Sequence, residues 1–510
     1  MMKKTIASLT ITTSFIFSCA FAAESCYPVS FGQDSTVCEC TLQHCDSVEP
    51  VGSLSEQDAA VYTSTPDGKR LQRDTIHFSP NASLDTAHIE LNAQQHYQTI
   101  LGFGGAFTDS AGRVITSLDP ALQHTLLAAY FSPDGIEYTL GRVPMASTDF
   151  SDRIYSYDDT PNDFDLNQFA LADEDTQYKI PLIKAAARMA HRPLTLFASP
   201  WSAPAWLKEN NSLINGKLRG IAGDHYHKTY AHYFSRFFDA YAQKGIHFWG
   251  VTLENEPTDN LGWFQSMLFS PEEERDFIKY DLGAELHATH PEVHLMILDD
   301  NVGFLPTWTN TILGDPDALK YVSGTGIHWY FAPENKTSLL DQTHAQFPNQ
   351  FILSTEASNG MLTGPKLGNW TNGILYAKDI IEDMQHWVIG WTDWNLALTP
   401  QGGSTWAKNY VDAPIIVDAP HHVFYKQPMY YFLGHFSKFI PQGSVRIDAT
   451  CNAPSLKTIA VTTPHHTTVI VVLNLSGAFT QFNIHDPHKG YLHAAIPAWS
   501  IQTYLYKANL

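Results

Sequence analysis

The chain has 510 residues, which at about 100–200 residues per domain leaves room for two to four domains or one large barrel with an appendage, and excludes a small disulfide scaffold. A composition that is 44% hydrophobic and 16% charged is that of a soluble globular protein with a large core. With 52 acidic and 31 basic residues the net charge is −21 at pH 7, which repels phosphate backbones and argues against nucleic-acid binding, although protonating all 24 histidines would bring the sum to about +3 in acidic surroundings.

At the N-terminus, Lys3 and Lys4 precede an apolar run from Ile6 to Phe21 that ends among the small residues Ala20, Ala22 and Ala23. This predicts a secretory signal peptide over residues 1–23, short for a membrane span, whose removal leaves a soluble exported chain. Cys19 is a competing lipidation site, although Phe17 two residues earlier fits that signal poorly. Beyond it, Cys26, Cys38, Cys40 and Cys45 crowd together, which in an exported chain reads as disulfides. A bridge between Cys38 and Cys40 would be strained, which favours two small loops pairing Cys26 with Cys38 and Cys40 with Cys45. A zinc site competes but lacks Cys-x-x-Cys spacing and histidine partners. Cys451 is left over, and a buried free thiol is expected there.

From about residue 97 to 395, short apolar β-branched runs alternate with polar turns and longer helical patterns, the rhythm of a parallel α/β architecture. The strand candidates are Gln98–Gly104, Glu137–Met145, Pro193–Ser199, Ile246–Leu253, Val293–Leu298, Gly324–Tyr330, Gln350–Thr355 and Val388–Asp393, and eight of them match a (β/α)8 barrel. Gly102, Gly104 and Gly105 look like a dinucleotide fingerprint, but Phe107 stands where the last glycine of G-x-G-x-x-G belongs. These glycines are instead expected to let the first strand turn tightly beneath the site. Residues 50–97 and 444–510 carry alternating runs such as Thr467–Asn474 and Ser500–Tyr506, which predict a β-sandwich built from both ends of the chain.

In such a barrel the residues just past the C-terminal strand ends face the active site. The fourth strand runs through Phe248-Trp249-Gly250-Val251-Thr252-Leu253 into Glu254-Asn255-Glu256-Pro257, and the seventh through Phe351-Ile352-Leu353-Ser354-Thr355 into Glu356. Either glutamate alone reads equally well as a turn residue. Together, three βα units apart, Glu256 and Glu356 are expected across one cavity. Such a pair supplies a retaining glycosidase mechanism, in which one carboxyl protonates the leaving oxygen while the other attacks the anomeric carbon from roughly 5–5.5 Å away. The charge of Glu356 is expected to raise the pKa of Glu256. Trp201 and Trp206, Trp263 and Phe264, Trp329 and Tyr330, and Trp391 and Trp394 cluster at other strand ends, either stacking on sugar faces or packing the barrel rim. Asp149, Asn255, Asp393 and Asn409 add groups of the kind that hold sugar hydroxyls. No metal or cofactor is implied: His421-His422 and His465-His466 sit in polar loops without carboxylates at ligand spacing, and there is no G-x-S-x-G elbow.

Taken together, these residues resemble the glucosylceramidases of glycoside hydrolase family 30. The resemblance covers nearly the whole mature chain and is most specific over Cys26–Asp46, Gly102–Asp109, Arg142–Phe150, Ser199–Lys208, Thr252–Pro257, His328–Tyr330, Gly390–Leu398 and Phe424–Pro441. It implies a (β/α)8 TIM barrel over residues 98–395 with 428–443, a β-sandwich over 50–97 with 444–510, and a small β-domain carrying the two disulfides over 24–49 with 396–427. It implies Glu256 as acid/base and Glu356 as nucleophile, with Asp149, Trp201, Asn255, Trp394 and Asn409 contacting glucose and Arg142, His328 and Tyr330 surrounding the nucleophile.

The implied activity is hydrolysis of glucosylceramide to glucose and ceramide. The alternative is hydrolysis or transglucosylation of another β-glucoside, such as a sterol glucoside or an oligosaccharide, since only the acceptor differs. A catalytically silent binding module is opposed by the presence of both glutamates. The loops 258–270 and 357–367 are shorter than the family's pattern and border the cavity mouth, where aglycone preference and any activator-protein docking would be set. Trp263 and Leu362 in these loops are candidates for touching a membrane surface, a contact favoured at acidic pH. The Lys-Lys leader resembles bacterial export signals and implies a secreted or periplasmic enzyme, or a lysosomal one in a eukaryote.

Overall fold

In a computed structural model of the chain, which describes residues 23–83 and 86–508, eight parallel strands close into a barrel. They are β1 (Gly102–Ala106), β2 (Leu140–Met145), β3 (Thr195–Pro200), β4 (Gly250–Thr252), β5 (His294–Asn301), β6 (Val322–His328), β7 (Phe351–Glu356) and β8 (Val388–Asn395), and β8 pairs back onto β1. Every strand candidate is present, with shifted ends. The second starts only at Leu140, because Glu137 has φ +53° and breaks the extended run. The fifth continues past Leu298 to Asn301. The signal-peptide segment and Cys19 lie outside the described residues.

The period of two along a strand builds the barrel lumen in layers. Leu140, Phe197, Met296 and Leu353 form a buried apolar cluster with Leu101. Two residues further along β2, β3 and β7 the same face carries Arg142, Ser199 and Thr355, all buried. A dry floor therefore supports a polar layer at the C-terminal end of the barrel. The glycines of β1 serve close approach rather than a turn, since a Cβ on Gly104 would lie 1.6 Å from the Leu140 carbonyl oxygen of β2.

The outer helices follow from capping and amphipathic spacing. His225–Ala242 begins at Asp224, whose carboxylate accepts from the N–H groups of Tyr226 and His227. It buries Tyr230, Tyr233, Phe234, Phe237, Phe238 and Tyr241, spaced three and four apart, and each such ring contributes about 1.5–3 kcal/mol relative to exposure. The helix Pro271–Phe277 opens with a reciprocal capping box between Ser270 and Glu273.

Both ends of the chain build the β-sandwich. Its nine strands are Asp58–Ser64, Gln72–Ser79, Ala87–Thr99, Val445–Cys451, Leu456–Thr462, Thr467–Asn474, Thr480–Asp486, Gly490–Ile496 and Ile501–Lys507, and their hydrogen-bonding order closes on itself. Thr467–Asn474 is buried on both faces: Ile470 and Val472 join the sandwich core, while Val469, Val471 and Leu473 pack into the barrel's cluster. Cys451 is free and only partly buried, so the expected full burial is not met.

One buried histidine fastens barrel to sandwich. His435, in the helix Pro428–Ser437, meets Thr503 Oγ1 at 2.8 Å through Nδ1 and Ser64 Oγ at 2.9 Å through Nε2. The Thr503 hydroxyl already donates to the His435 carbonyl, and Ser64 Oγ already accepts from the Leu71 N–H. Nδ1 therefore donates, and burial, which pushes the pKa down to about 3, favours the neutral ring in which Nε2 accepts from the Ser64 hydroxyl. A separate four-stranded antiparallel sheet joins Pro28–Val29 and Val37–Cys40 to Val423–Lys426 and Ile415–Asp418. Cys26 is bonded to Cys38 and Cys40 to Cys45.

Candidate active site

The polar layer is organised around a residue that strand counting passed over. At Leu298 and Asp299 the backbone of β5 has φ +70° and +52°, and its register against β6 shifts. Glu274, buried on a neighbouring helix, accepts from the Leu298 N–H at 3.1 Å. The bend turns Asp299 inward. Its Oδ2 accepts from Arg142 Nη2 and Thr252 Oγ1, both at 2.7 Å, and its Oδ1 accepts from Thr355 Oγ1 at 2.6 Å and His328 Nε2 at 3.2 Å. Burial alone would raise the Asp299 pKa, but the Arg142 charge and the His328 bond hold it well below the usual carboxylate range.

Arg142 is the second hub. Fully buried, it donates through Nη1 to Glu356, through Nη2 to Asn255 Oδ1 at 2.8 Å, and through Nε to Ser199 Oγ at 3.0 Å. Its guanidinium lies 4.8 Å from the Trp201 ring and 5.4 Å from the Trp394 ring, which stack on each other at 5.2 Å. Charge pairing and ring contact together fix the wall of the cavity.

Glu256 follows β4 with φ +45°, and its backbone N–H donates to the Asp299 carbonyl at 2.9 Å. Its Oε1 lies 3.0 Å from His328 Nδ1. Glu356 ends β7 and accepts from Arg142 and, at 3.0 Å, from the Tyr330 hydroxyl. One carboxylate oxygen from each glutamate and a ring nitrogen of His328 lie within 4.8 Å of one another. Burial pulls the His328 pKa down, but the charge of Glu356 and the bonds to Asp299 and Glu256 outweigh it and raise it to about 10. A protonated His328 donates from both nitrogens, to Glu256 and to Asp299.

Both glutamates have raised pKa values. For Glu256 the leading cause is burial, opposed by the His328 bond and reinforced by Asp300 and Asp259. The expected role of the Glu356 charge is therefore secondary to desolvation. For Glu356, burial raises the pKa against the charges of His328 and Arg142, and Glu256 adds to the rise.

Asp149 is buried nearby, accepts from Asn409 Nδ2 at 2.9 Å, and is pushed up to about 7 by burial together with the charges of Glu356 and Glu256. Asn255 spends its oxygen on Arg142, and its N–H donates to the Pro200 carbonyl. Asp393 does not join this group, because its carboxylate turns to the outer helix Trp370–Gln385 and accepts from the Tyr376 hydroxyl. Trp206, Trp329 and Trp391 donate their indole N–H groups to Asp158, Ser358 and Asp379 and pack the rim. Trp263 is exposed. Ser199, Thr252, Asp299 and Thr355 are the functional residues that sequence reasoning missed. An acidic pair after the apolar run Leu295–Leu298 was the available signal for Asp299.

The barrel, residues 100–440, matches the glycosyl hydrolase family 30 TIM-barrel domain, and residues 443–504 match the glycosyl hydrolase family 30 beta sandwich domain. The chain belongs to glycoside hydrolase family 30. It is 46% identical over 502 residues to lysosomal acid glucosylceramidase of Mus musculus, covering 96% of this chain and 97% of that one. Among solved structures, SrfJ from Salmonella typhimurium superposes with a TM-score of 0.82 at 27% identity, covering 89% of this chain and 100% of its own. The endo-beta1,6-glucanase BT3312 gives 0.80 at 26%, with the same coverage.

Proposed function

We propose that the chain is a retaining β-glucosidase that hydrolyses glucosylceramide to glucose and ceramide by double displacement. The observation that carries this reading is the approach of the Glu256 and Glu356 carboxylates to within 4.8 Å. Inverting enzymes hold theirs about 6.5–9.5 Å apart to admit a water between them, and retaining enzymes about 5–5.5 Å. The near full-length identity to the mouse glucosylceramidase supports the substrate.

In the first step the Glu356 carboxylate attacks the anomeric carbon and forms a glycosyl ester. Glu256 gives its proton to the glycosidic oxygen, and ceramide leaves as the alcohol. In the second, the Glu256 carboxylate takes a proton from water, whose oxygen attacks the same carbon and restores the Glu356 carboxylate. With His328 and Arg142 cationic and Asp299 and Glu356 anionic, a proton on Glu256 leaves the cluster neutral. Burial, which raises the Glu256 pKa, favours that state. Tyr330 and Arg142 orient the Glu356 oxygens, and the Trp201–Trp394 wall with Asp149 and Asn409 suits a glucose ring and its hydroxyls.

The partner is a lipid surface as well as a sugar. Leu261 and Trp263 follow Glu256, Phe331 follows Tyr330, and Leu362 follows Glu356; all four are half or more exposed. They lie in loops that follow the C-terminal ends of β4, β6 and β7, the end of the barrel from which a ceramide anchored in a bilayer would approach. An exported location, secreted or periplasmic or a lysosomal lumen, suits this reading. The alternative, a β-linked oligosaccharide or sterol glucoside, draws support from the likeness to the endo-beta1,6-glucanase BT3312. Purified protein offered glucosylceramide, a β-1,6-glucan and a sterol acceptor decides between them: release of glucose and ceramide as the fastest reaction supports the first reading, and preferential glucan cleavage or sterol glucoside formation overturns it.

A further inference from the structure

The bend in β5 is held from the helix layer by a carboxyl group that the double displacement does not use. Glu274 lies in the helix Pro271–Phe277, which precedes β5 in the chain, and is 1% exposed. Its Oε1 accepts from the Leu298 N–H at 3.1 Å. Its Oε2 accepts from the indole N–H of Trp308, in the helix Leu305–Ile312 that follows β5. Glu274 therefore ties the strand to the helices on either side of it in the chain.

Among the described residues no lysine, arginine or histidine pairs with Glu274. Burial pushes its pKa up to about 7, opposed by the two hydrogen bonds and reinforced by the charges of Asp299 and Asp300. A carboxyl group placed this way costs stability that an apolar side chain of the same size would not, because its charge is desolvated without a counter-ion. What it supplies in return is an acceptor for the backbone of a bend that is itself disfavoured. Leu298 has φ +70° and Asp299 φ +52°, a left-handed conformation that residues with a side chain adopt only under constraint.

Two arms run from the bend to Glu256. In the first, the Asp299 carbonyl accepts from the Glu256 N–H at 2.9 Å, and the Asp299 carboxylate meets His328, whose other nitrogen is 3.0 Å from Glu256 Oε1. In the second, Asp300 Oδ2 accepts from the hydroxyl and the N–H of Thr258, at 2.7 and 3.2 Å, in the loop that follows Glu256. The nucleophile depends less on the bend. Glu356 is held by Arg142 and Tyr330, and Arg142 has further anchors in Ser199 and Asn255. Loosening the bend therefore reaches the acid/base before it reaches the nucleophile.

We propose that Glu274 is a positioning residue for the acid/base: by fixing the bend at Leu298 and Asp299 it sets Asp299 and Asp300, and through them the Glu256 carboxyl group. This role rests on Glu256 acting as the acid. The test is kcat/KM of the full chain on aryl β-glucosides of graded leaving-group pKa. A variant that merely folds less well loses the same factor on every substrate, so the slope against leaving-group pKa stays put, whereas a misplaced acid penalises poor leaving groups selectively. Glu274→Met fills similar space without an acceptor. It should stay within about threefold of wild type on a dinitrophenyl glucoside and lose about 10–100-fold on a methoxyphenyl glucoside. Glu274→Gln keeps an oxygen for the Leu298 N–H and should restore the wild-type slope. A wild-type slope in folded Glu274→Met overturns the proposal, as does a slope equally steep in Glu274→Gln. If Glu274→Met does not fold, Glu274→Asp, too short to hold both donors, should give an intermediate slope, and a wild-type slope there is equally fatal. Glu256→Ala measured alongside separates the two assignments. A steep slope in Glu256→Ala with none in Glu274→Met removes only the positioning role, while a wild-type slope in Glu256→Ala removes the acid assignment and the positioning role with it.

Discussion

Arg142 bonds to Glu356 and to Asp299 at once, so the proposed nucleophile and a fully buried carboxylate share one guanidinium. Asp299 in turn accepts from His328, whose other nitrogen meets Glu256. The two glutamates are therefore linked through a relay of alternating charge, in which moving one proton changes the balance seen by the rest.

Removing the acid should separate leaving-group chemistry from the rest. Glu256→Ala is expected to lose about 10²–10⁴-fold on glucosylceramide, yet to retain glycosylation by a dinitrophenyl glucoside, whose phenolate needs no proton. The wild-type rate should fall as pH rises through the raised Glu256 pKa, and that alkaline limb should disappear in the variant with the activated substrate. Equal losses on both substrates would remove Glu256 from the acid role.

Asp299 gives a prediction about stability. Removing one partner of a buried charge pair costs about 3–5 kcal/mol, so Asp299→Asn should lower the urea midpoint at pH 7. Because the folded pKa is depressed, the Asp299 contribution is fully present above the unfolded value near about 4 and is lost as pH falls below it. The gap between wild type and variant should hold constant from pH 7 to about 5 and narrow below 4. A gap that widens in acid would contradict the assignment.

His435 should lose stability in the same direction, but over a higher pH window. Its folded pKa is lowered to about 3, so the unfolded chain protonates first, near about pH 6.5, and each pH unit below that costs the fold about 1.4 kcal/mol until the folded value is reached. Urea titration of His435→Gln should give a lower midpoint at pH 7 but a flatter decline between pH 6 and 4. Parallel curves for the two proteins would show that the ring is not buried neutral.

At the mouth, co-sedimentation with anionic liposomes at fixed salt should be stronger at pH 5 than at pH 7, because histidine protonation offsets the −21 charge. Trp263→Ala with Leu362→Ala should weaken that binding about tenfold or more, given about 1.5–3 kcal/mol per buried apolar side chain, while sparing a soluble glucoside. Equal binding at both pH values would remove the histidine contribution.

The barrel was legible because its strands are apolar runs separated by helical spacing, and Glu256 and Glu356 stood out as charges at the ends of such runs. Asp299 obeys the same rule, but the strand runs three residues past the expected end at Leu298, to Asn301, and a left-handed bend inside a strand leaves no sequence signature when neither residue is glycine. Ser199, Thr252 and Thr355 were hidden for another reason. Small hydroxyl residues in strands read as ordinary β-formers, and only closure of the barrel points Thr252 and Thr355 at the Asp299 carboxylate and Ser199 at Arg142. Asp393 was misread because the period of two cannot say which face of a strand buried on both sides meets the lumen.

The most direct measurement is covalent trapping. An activated 2-deoxy-2-fluoro-β-glucoside slows both steps but spares the first enough for the glycosyl ester to accumulate, and peptide mass spectrometry then locates it. A retaining mechanism with Glu356 as nucleophile predicts a single adduct on the peptide carrying Glu356, with loss of activity in proportion to labelling and no adduct in Glu356→Gln, whose turnover should be down by about 10⁴-fold or more. A label on Asp149, Asp299 or Glu256, or continued turnover without any adduct, would contradict it.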